Sequence, residues 1–450
     1  MMRWSNAAAA MRTASFFAVA ALALPAAAAA QTPDSAARAA LPAVTLEEAI
    51  RRSERVQPGV ISAMNAVENT DARVRSAFGN YLPTVTARGS GGPSFSAGAS
   101  RVDPTTGQVI SGDRTNTSLN MGLSASIDVF TGFRRGAESR AARASNVAAE
   151  ASLTDARYQQ AYATTNQFFT ALLAEDLVTV SEASLRRAEE QLKVSIARLQ
   201  AGSATRSDSL RSTVQLGNAR LQLIQAQAGL AAAEAQLARL IGERGRVRAA
   251  DDSAFYAVVT IDTAAVHAEA VAQSPQVRAA EATAAAADAQ ASVARAAYWP
   301  TASLTASTGW NGSGATDYDL FNNRSLNLGV NWNIFNGFQR EQTITLQNNA
   351  RDLAAAQAED ARREVAAEVI TQMAQLAAAR EAIEISKVSL EAAQEDLRVQ
   401  QERYRLGAST IVDVLTSQEA LTQAEVDAVT TRFDYLAAKA QLEALIGRQL

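Results

Sequence analysis

The chain offers little that could do covalent chemistry. Its 450 residues contain one histidine, His267, and no cysteine. Without a thiolate or a second imidazole, neither a nucleophilic triad nor a zinc site can be assembled. Disulfides and a lipid-modified cysteine at a processed N-terminus are excluded with them. His267 falls near a helix start and reads as solvated. Acidic pairs such as Glu47-Glu48 and Glu189-Glu190 read as ordinary solvated helix faces. The net charge of −4 gives no reason to expect nucleic acid, and no cofactor or metal is expected. One carboxylate stands out by position. Asp413 lies one short turn beyond Gly407, beside Val414. An acid in the first turn of a helix stabilises the N-terminal end of its dipole, and on the local sequence alone Asp413 reads that way.

The elements that must position Asp413 are helices. Gly407 stops one by adopting the left-handed conformation, and Ser409 or Thr410 offers an oxygen to cap the next. Val369, Leu376, Ile383, Leu390, Leu397 and Tyr404 recur every seven residues before this tip. Val414, Leu421, Ala428, Tyr435 and Leu442 do so after it. A strict heptad keeps its seam facing a partner only if the helices supercoil, so the stretch predicts an antiparallel coiled-coil hairpin. The motif has a twin around Gly202, at an offset of 205 from Gly407, with Asp208 standing where Asp413 stands. Val178, Leu185, Leu192 and Leu199 lead in, and Leu216, Leu223, Leu230 and Leu237 lead out. Leu240-Ile241-Gly242 matches Leu445-Ile446-Gly447 at the same offset. The chain is a tandem duplication.

Each half begins with helix and passes through strands. Thr45 to Glu48 has capping-box spacing. Pro58 and Pro275 correspond, as do Pro83 and Pro300. Pro83 and Pro300 follow Tyr81-Leu82 and Tyr298-Trp299, and should end a helix and begin a strand. Leu119, Met121, Leu123, Ala125, Ile127 and Val129 alternate with polar residues that include Asp128. Leu326, Leu328, Val330, Trp332 and Ile334 alternate with Asn327, Gly329, Asn331 and Asn333. Period two gives a sheet with one apolar and one polar face. The commonest such sheet has core on one side and water on the other. Three features point instead to a membrane barrel: strands of about ten residues, polar loops over 89–117 and 311–324, and junctions rich in aromatics. Those junctions hold Phe130 and Phe133 before Arg134, and Phe335 and Phe338 before Arg340, as at a lipid boundary. Two hairpins give four strands, which cannot close a barrel, and open edges are not tolerated in lipid. Two copies would give about eight strands and a filled interior, and three about twelve and a water-filled pore.

From Arg135 to Ala201, and again from Arg340 to Leu406, no proline interrupts the helical pattern. Each run predicts roughly 100 Å of helix. The resulting organisation is a first repeat over 44–241 (β-hairpin 82–130, tip at 202) and a second over 263–450 (β-hairpin 300–335, tip at 407). An irregular collar spans 242–262, with a β-like piece from Phe255 to Ile261. At the N-terminus Arg3, Arg12, an apolar core from Phe16 to Leu24, Pro25 and Ala28-Ala29-Ala30 read as an export signal over 1–30. The core is too short to span a bilayer comfortably. A flexible leader follows over 31–43.

With the duplicated halves, the strands after Pro83 and Pro300 and the run from Tyr404 to Leu415, the chain resembles the TolC family of outer membrane efflux channels. The resemblance covers nearly all of the sequence after the export signal. It implies a mainly α fold with a transmembrane β-barrel contribution: a homotrimer whose four strands per chain complete a 12-stranded barrel above a periplasmic helical tunnel. It implies an outer membrane location, contact with outer membrane lipid, and docking to a periplasmic adaptor and an inner membrane pump. By the same resemblance Asp413 lines a closed periplasmic mouth, where three copies would form an acidic ring. Asp208 and Tyr404 help tie neighbouring helices shut. Gly202, Ser203, Leu406, Gly407 and Ala408 form the adaptor-docking tips, beyond simply turning the chain. By the alternation, Asn327, Asn331, Asn333 and Asp128 should face the barrel lumen if the apolar set faces lipid, and Phe130, Phe133, Trp332, Phe335 and Phe338 read as a membrane-interface belt. The chain departs from some members at Thr416, where they carry a second acid, and at Ser409, where they carry Arg; Arg206 is a candidate for the missing cation. The rival expectation is a periplasmic coiled-coil scaffold without a pore.

Overall fold

The computed structural model describes residues 41–110, 114–252, 255, 270, 272–314 and 320–448. The export signal, nearly all of the leader, His267 and most of the β-like piece after Phe255 lie outside these residues. In chain order the elements are β1 (Ala43–Val44), α1 (Leu46–Val56), α2 (Pro58–Gly79), β2 (Thr84–Ser96), β3 (Arg101–Val102), β4 (Val109–Ile110) and β5 (Arg114–Phe130). The long pair α3 (Arg134–Gln200) and α4 (Arg206–Ile241) follows, then β6 (Arg248–Ala249). The second half runs α5 (Pro275–Arg295), β7 (Thr301–Gly314), β8 (Phe321–Asn331), α6 (Gln339–Arg405) and α7 (Ile411–Ile446).

Pro58 and Pro275 both sit in the first turn of a helix, where the missing N–H costs nothing. Thr45 caps α1 by accepting from the Glu48 amide. The expected reciprocal bond is absent from the described set, because the Glu48 carboxylate bonds Arg52 on the next turn instead. The two long helices have the same length, 67 residues each, and so do α4 and α7, at 36. At 1.5 Å per residue the long helices extend about 100 Å. α3 packs against α4, α6 against α7, and α3 against α7, so the four run in the order α4-α3-α7-α6. The main apolar core surrounds the middle of this row and includes Phe168, Leu172, Leu237, Val365, Val369, Leu436 and Leu442. Beside it the parallel pair β1–β6 joins Ala43 to Arg248, which takes Ala43 out of the expected flexible leader.

The main sheet is antiparallel, in the order β2-β5-β7-β8. Its strands are longer than the expected ten residues, at 13, 17, 14 and 11. Much of the sequence expected as polar loops is paired strand: β2 extends to Ser96, β5 starts at Arg114, β7 reaches Gly314 and β8 starts at Phe321. Ser and Gly weaken a strand without preventing its backbone ladder. A small hairpin, β3–β4, occupies part of the remaining loop. At the other end the ladder stops at the Thr301–Asn331 pair. The next residue across is Pro300, which has no N–H to donate. Trp332 and Asn333 therefore lie in the junction rather than in the strand.

Candidate functional site

Cross-strand pairs place every residue of the sheet on one of two faces. Ile127, Leu304 and Leu328 share a face with Ala125, Ala306 and Leu326. On the opposite face Asp128 stands across from Ser303, Asn327 from Thr305 and Asn331 from Thr301. The polar face is knit by hydroxyl pairs, Thr86–Ser124 at 2.7 Å and Ser307–Ser325 at 2.7 Å. The apolar face is bare. Leu326, Leu328 and Val330 are 69%, 67% and 70% exposed. Asn333, grouped with the lumen residues by its place in the alternation, instead offers its carbonyl to Arg340 at 3.3 Å in the junction.

At both strand-to-helix junctions the chain makes the same turn. Gly132 and Phe133 have φ of 62° and 67°, and Gly337 and Phe338 have 66° and 66°. A phenylalanine in the left-handed region is strained, and its occurrence at both equivalent positions marks a built feature. Edge-to-face contacts hold the rings: Phe130 to Phe133 at 5.5 Å, Phe133 to Trp299 at 5.4 Å, and Phe335 to Phe338 at 5.4 Å. A Cβ on Gly132 would stand 2.5 Å from the Trp299 Cβ, so only glycine fits there. Behind the rings a cation sits on a tyrosine in each half, Arg135 on Tyr81 at 4.9 Å and Arg340 on Tyr298 at 4.1 Å. The Trp332 indole donates to the Tyr298 carbonyl at 3.2 Å.

The two hairpin tips are near copies. Gly202 and Gly407, at φ 73° and 80°, close the long helices. The amides of Ser203 and Ala408 reach back to Arg198 and Arg403 carbonyls at 2.9 and 2.8 Å. Thr205 and Thr410 are the N-caps, each in a full capping box with Asp208 or Asp413. Asp208 accepts from the Thr205 amide at 2.9 Å. Asp413 accepts from the Thr410 amide at 2.9 Å, the Thr410 hydroxyl at 2.8 Å and the Ser409 hydroxyl at 3.0 Å. The Thr410 amide, followed by the two hydroxyls, holds the Asp413 carboxyl below its ordinary value. Leu406, beside the second tip, is 78% exposed.

The tips meet through a residue that heptad reading passed over. Arg198 of the first hairpin lies over the Tyr404 ring, 4.3 Å from its centre, and donates to the Tyr404 carbonyl. Tyr404 is buried, and its hydroxyl has no hydrogen-bond partner among the described residues. Asp208 and Tyr404 share no hydrogen bond among the described residues. The cation at this joint is Arg198. The signal that could have found it is its place four residues before Gly202, on the turn that the tip closes. Farther along, α3 and α7 are cross-linked by Arg187 to Glu425 at 2.7 and 2.9 Å, Ser184 to Thr422 at 3.3 Å and Asp176 to Arg432 at 2.5 Å.

No group of side chains among the described residues has the makings of a metal site, and no described helix is long and apolar enough to cross a membrane. The profile described as "Outer membrane efflux protein" matches residues 49–243 and 266–448. This chain belongs to the outer membrane efflux protein family. As a member it is an outer membrane export channel, not an enzyme, and the pore-free scaffold is set aside. It is 29% identical over 342 residues to the pyoverdine export outer membrane protein OpmQ of Pseudomonas aeruginosa, covering 73% of this chain and 70% of that one. It is 24% identical to the outer membrane efflux protein BepC of Brucella suis, covering 74% and 73%. Among solved structures it superposes on CusC with a TM-score of 0.77 at 19% identity, covering 90% and 92%. VceC from Vibrio cholerae gives 0.74 at 18%, covering 90% and 96%. This outer membrane efflux protein thus shares the fold of those channels.

Proposed function

We propose that three copies of this chain form the exit duct of a tripartite efflux or secretion system, conducting passively and gated at the periplasmic hairpin tips. The observation that carries the assembly is the open sheet. β2 and β8 are each paired on one side only, and a bare strand edge in lipid leaves its backbone groups unsatisfied. The β8 edge of one copy meets the β2 edge of the next, and three copies give about twelve strands around a wet lumen. Asp128, Asn327 and Asn331 line that lumen. Phe130, Phe133, Trp332, Phe335 and Phe338 lie at the inner lipid boundary.

The helices support the same closure. α4 and α6 are the outer members of the four-helix row, and each leaves an apolar stripe uncovered. Leu210, Val214, Leu221 and Ile224 are 54–64% exposed on α4. Ile385 and Val388 are 66% and 65% exposed on α6. These spacings of three, four and seven are those of a coiled-coil seam awaiting a partner. The stripe on α6 of one copy covers the stripe on α4 of its neighbour.

Around a threefold axis the tips bring Asp413 and Asp208 into acidic rings at the mouth, and Arg198 on Tyr404 holds the two hairpins of one copy together. Gly202, Ser203, Leu406, Gly407 and Ala408 are the surface offered to a periplasmic adaptor, with an inner membrane pump supplying the energy. Relatives are named for pyoverdine export and for alkaline protease secretion, which supports placing the choice of cargo in the pump. The test is single-channel recording in planar bilayers. The wild-type chain should give small or rare steps, and Asp413→Ala should raise leak or shift cation selectivity. A monomeric product showing no steps, even with Asp413 and Asp208 neutralised, would overturn the reading.

A further inference from the structure

We propose that the outer end of the barrel's apolar face carries a binding site for a phosphate group of an outer-leaflet lipid, built on Arg324 with Asn322, Thr308 and Trp310. This rests on the reading above, in which the apolar face is the lipid face. Arg324 and Asn322 fall on β8 positions that share the face of Leu326, Leu328 and Val330. Across the ladder Arg324 stands opposite Thr308, and Asn322 opposite Trp310. The four side chains therefore form one patch, two residues wide and two deep, polar except for the indole. On a lipid-facing surface such a patch needs a reason.

Its depth supplies one. Trp332 marks the inner boundary. Arg324 lies eight residues nearer the outer end, about 26 Å along the strand and about 20 Å along the membrane normal at a barrel's tilt. The apolar band of such a barrel is about 25 Å tall. Arg324 is thus within one side-chain length of the outer boundary, with Asn322 and Trp310 on it. The side chain leans that way. The Arg324 Nε donates to the Asn322 Oδ1 at 3.1 Å, toward the outer end of the strand. Asn322 is held in turn, donating to the Thr308 Oγ1 at 3.2 Å and the Gly309 carbonyl at 3.4 Å. The guanidinium is aimed outward, and the hydrogen bond to Asn322 engages only Nε. Its terminal nitrogens have no salt bridge among the described residues, and they present the fork that matches phosphate.

The rest of the surface suits an amphiphile rather than a free ion. Below the cation, Leu326, Leu328 and Val330 continue for about 20 Å along the strand, a path for an acyl chain, and Trp310 flanks the headgroup position as interfacial aromatics do. Arg88, the basic residue on β2 at the height of Gly122, faces the opposite, polar side and does not belong to this site.

The test uses the full-length channel in detergent, titrated with bisphosphorylated lipid A, the same lipid dephosphorylated, or inorganic phosphate. Native mass spectrometry and thermal melting are the readouts. Bisphosphorylated lipid A should bind and raise the melting temperature, and the other two should not. Arg324→Ala should weaken binding about tenfold or more, in the range of a lost charge-assisted hydrogen bond, and Arg324→Lys by less. Asn322→Ala should weaken it more modestly by freeing the guanidinium. All three substitutions are at exposed positions, and unchanged single-channel conductance shows that the barrel is intact. Equal binding by wild type and Arg324→Ala, or by phosphorylated and dephosphorylated lipid, overturns the site. A channel that conducts normally without phosphate-dependent binding defeats this inference alone and leaves the duct standing.

Discussion

The two hairpins have identical lengths and nearly identical tips, yet they are held together differently. Near its tip the second hairpin buries Leu397, Tyr404, Ile411, Val414 and Leu421 as a cluster of its own. At the same level the first buries Ser184, Gln191, Ser195 and Ser212 with Ala188 and Ala219. The Ser195 and Ser212 hydroxyls bond each other at 2.8 Å across that seam. Large apolar side chains gain from leaving water wherever they meet, so the second tip is self-supporting. A seam of serine and alanine allows close approach but contributes little burial. The first tip gains its hold from outside, through Arg198 on Tyr404 and through the polar rungs between α3 and α7. Such rungs depend on geometry and yield more readily than a hydrophobic core. The contrast predicts that the first hairpin loosens before the second.

The largest expected effect that would sharpen this contrast comes from Leu421→Ala. It empties part of the second cluster and should cost about 2–5 kcal/mol locally, read as faster amide exchange over both flanks of Gly407. Exchange confined to the first hairpin would break the comparison. Arg198→Ala comes next. It removes a charge-assisted contact of about 1.5–3 kcal/mol, reduced by partial exposure. It should loosen the first tip, leave the second ordered and raise leak current; a loosened second tip would reverse the assignment. Acid is a smaller lever. The Asp413 carboxyl is held below its ordinary value of 3.8, so its cap contribution is complete at neutral pH and is lost as pH falls below about 4. Fraying of the α7 start, followed by amide exchange across that range, should disappear in Asp413→Asn. The smallest effect is that of Ser195→Ala, with about 1 kcal/mol or less lost from one neutral hydrogen bond; a cost as large as that of Leu421→Ala would deny the contrast between the seams.

Much of this was legible in the residues, for reasons that can be named. The tips were legible because Gly, Thr and Asp at fixed spacing perform a local task, and Thr410 proved to be the cap where Ser409 was the alternative. The long helices could be bounded because no proline interrupts them and glycine ends them. Strand parity was legible because alternation of period two needs no partner to be seen. Loops were misjudged where polar strands continued to pair. The first hairpin's seam was misjudged as well. Leu185, Leu192 and Leu199 keep the heptad yet lie only half-buried, beside the small residues that fill the contact.

By itself, then, the sequence determined the duplication, the helix and strand periods, the caps and the absence of catalytic groups, all of which are set within a few residues of one another. The tertiary structure alone decided that Arg198 reaches Tyr404, that α3 and α7 join through polar rungs, and that Gly132 must pass under Trp299. It also decided that Phe133 and Phe338 turn left-handed, and that β8 begins early enough to take in Arg324. Each of the contacts at Tyr404, α7 and Trp299 links residues more than 160 positions apart. A local pattern carries no information about which distant side chain will arrive, because that is set by how the helices cross and how the strands align.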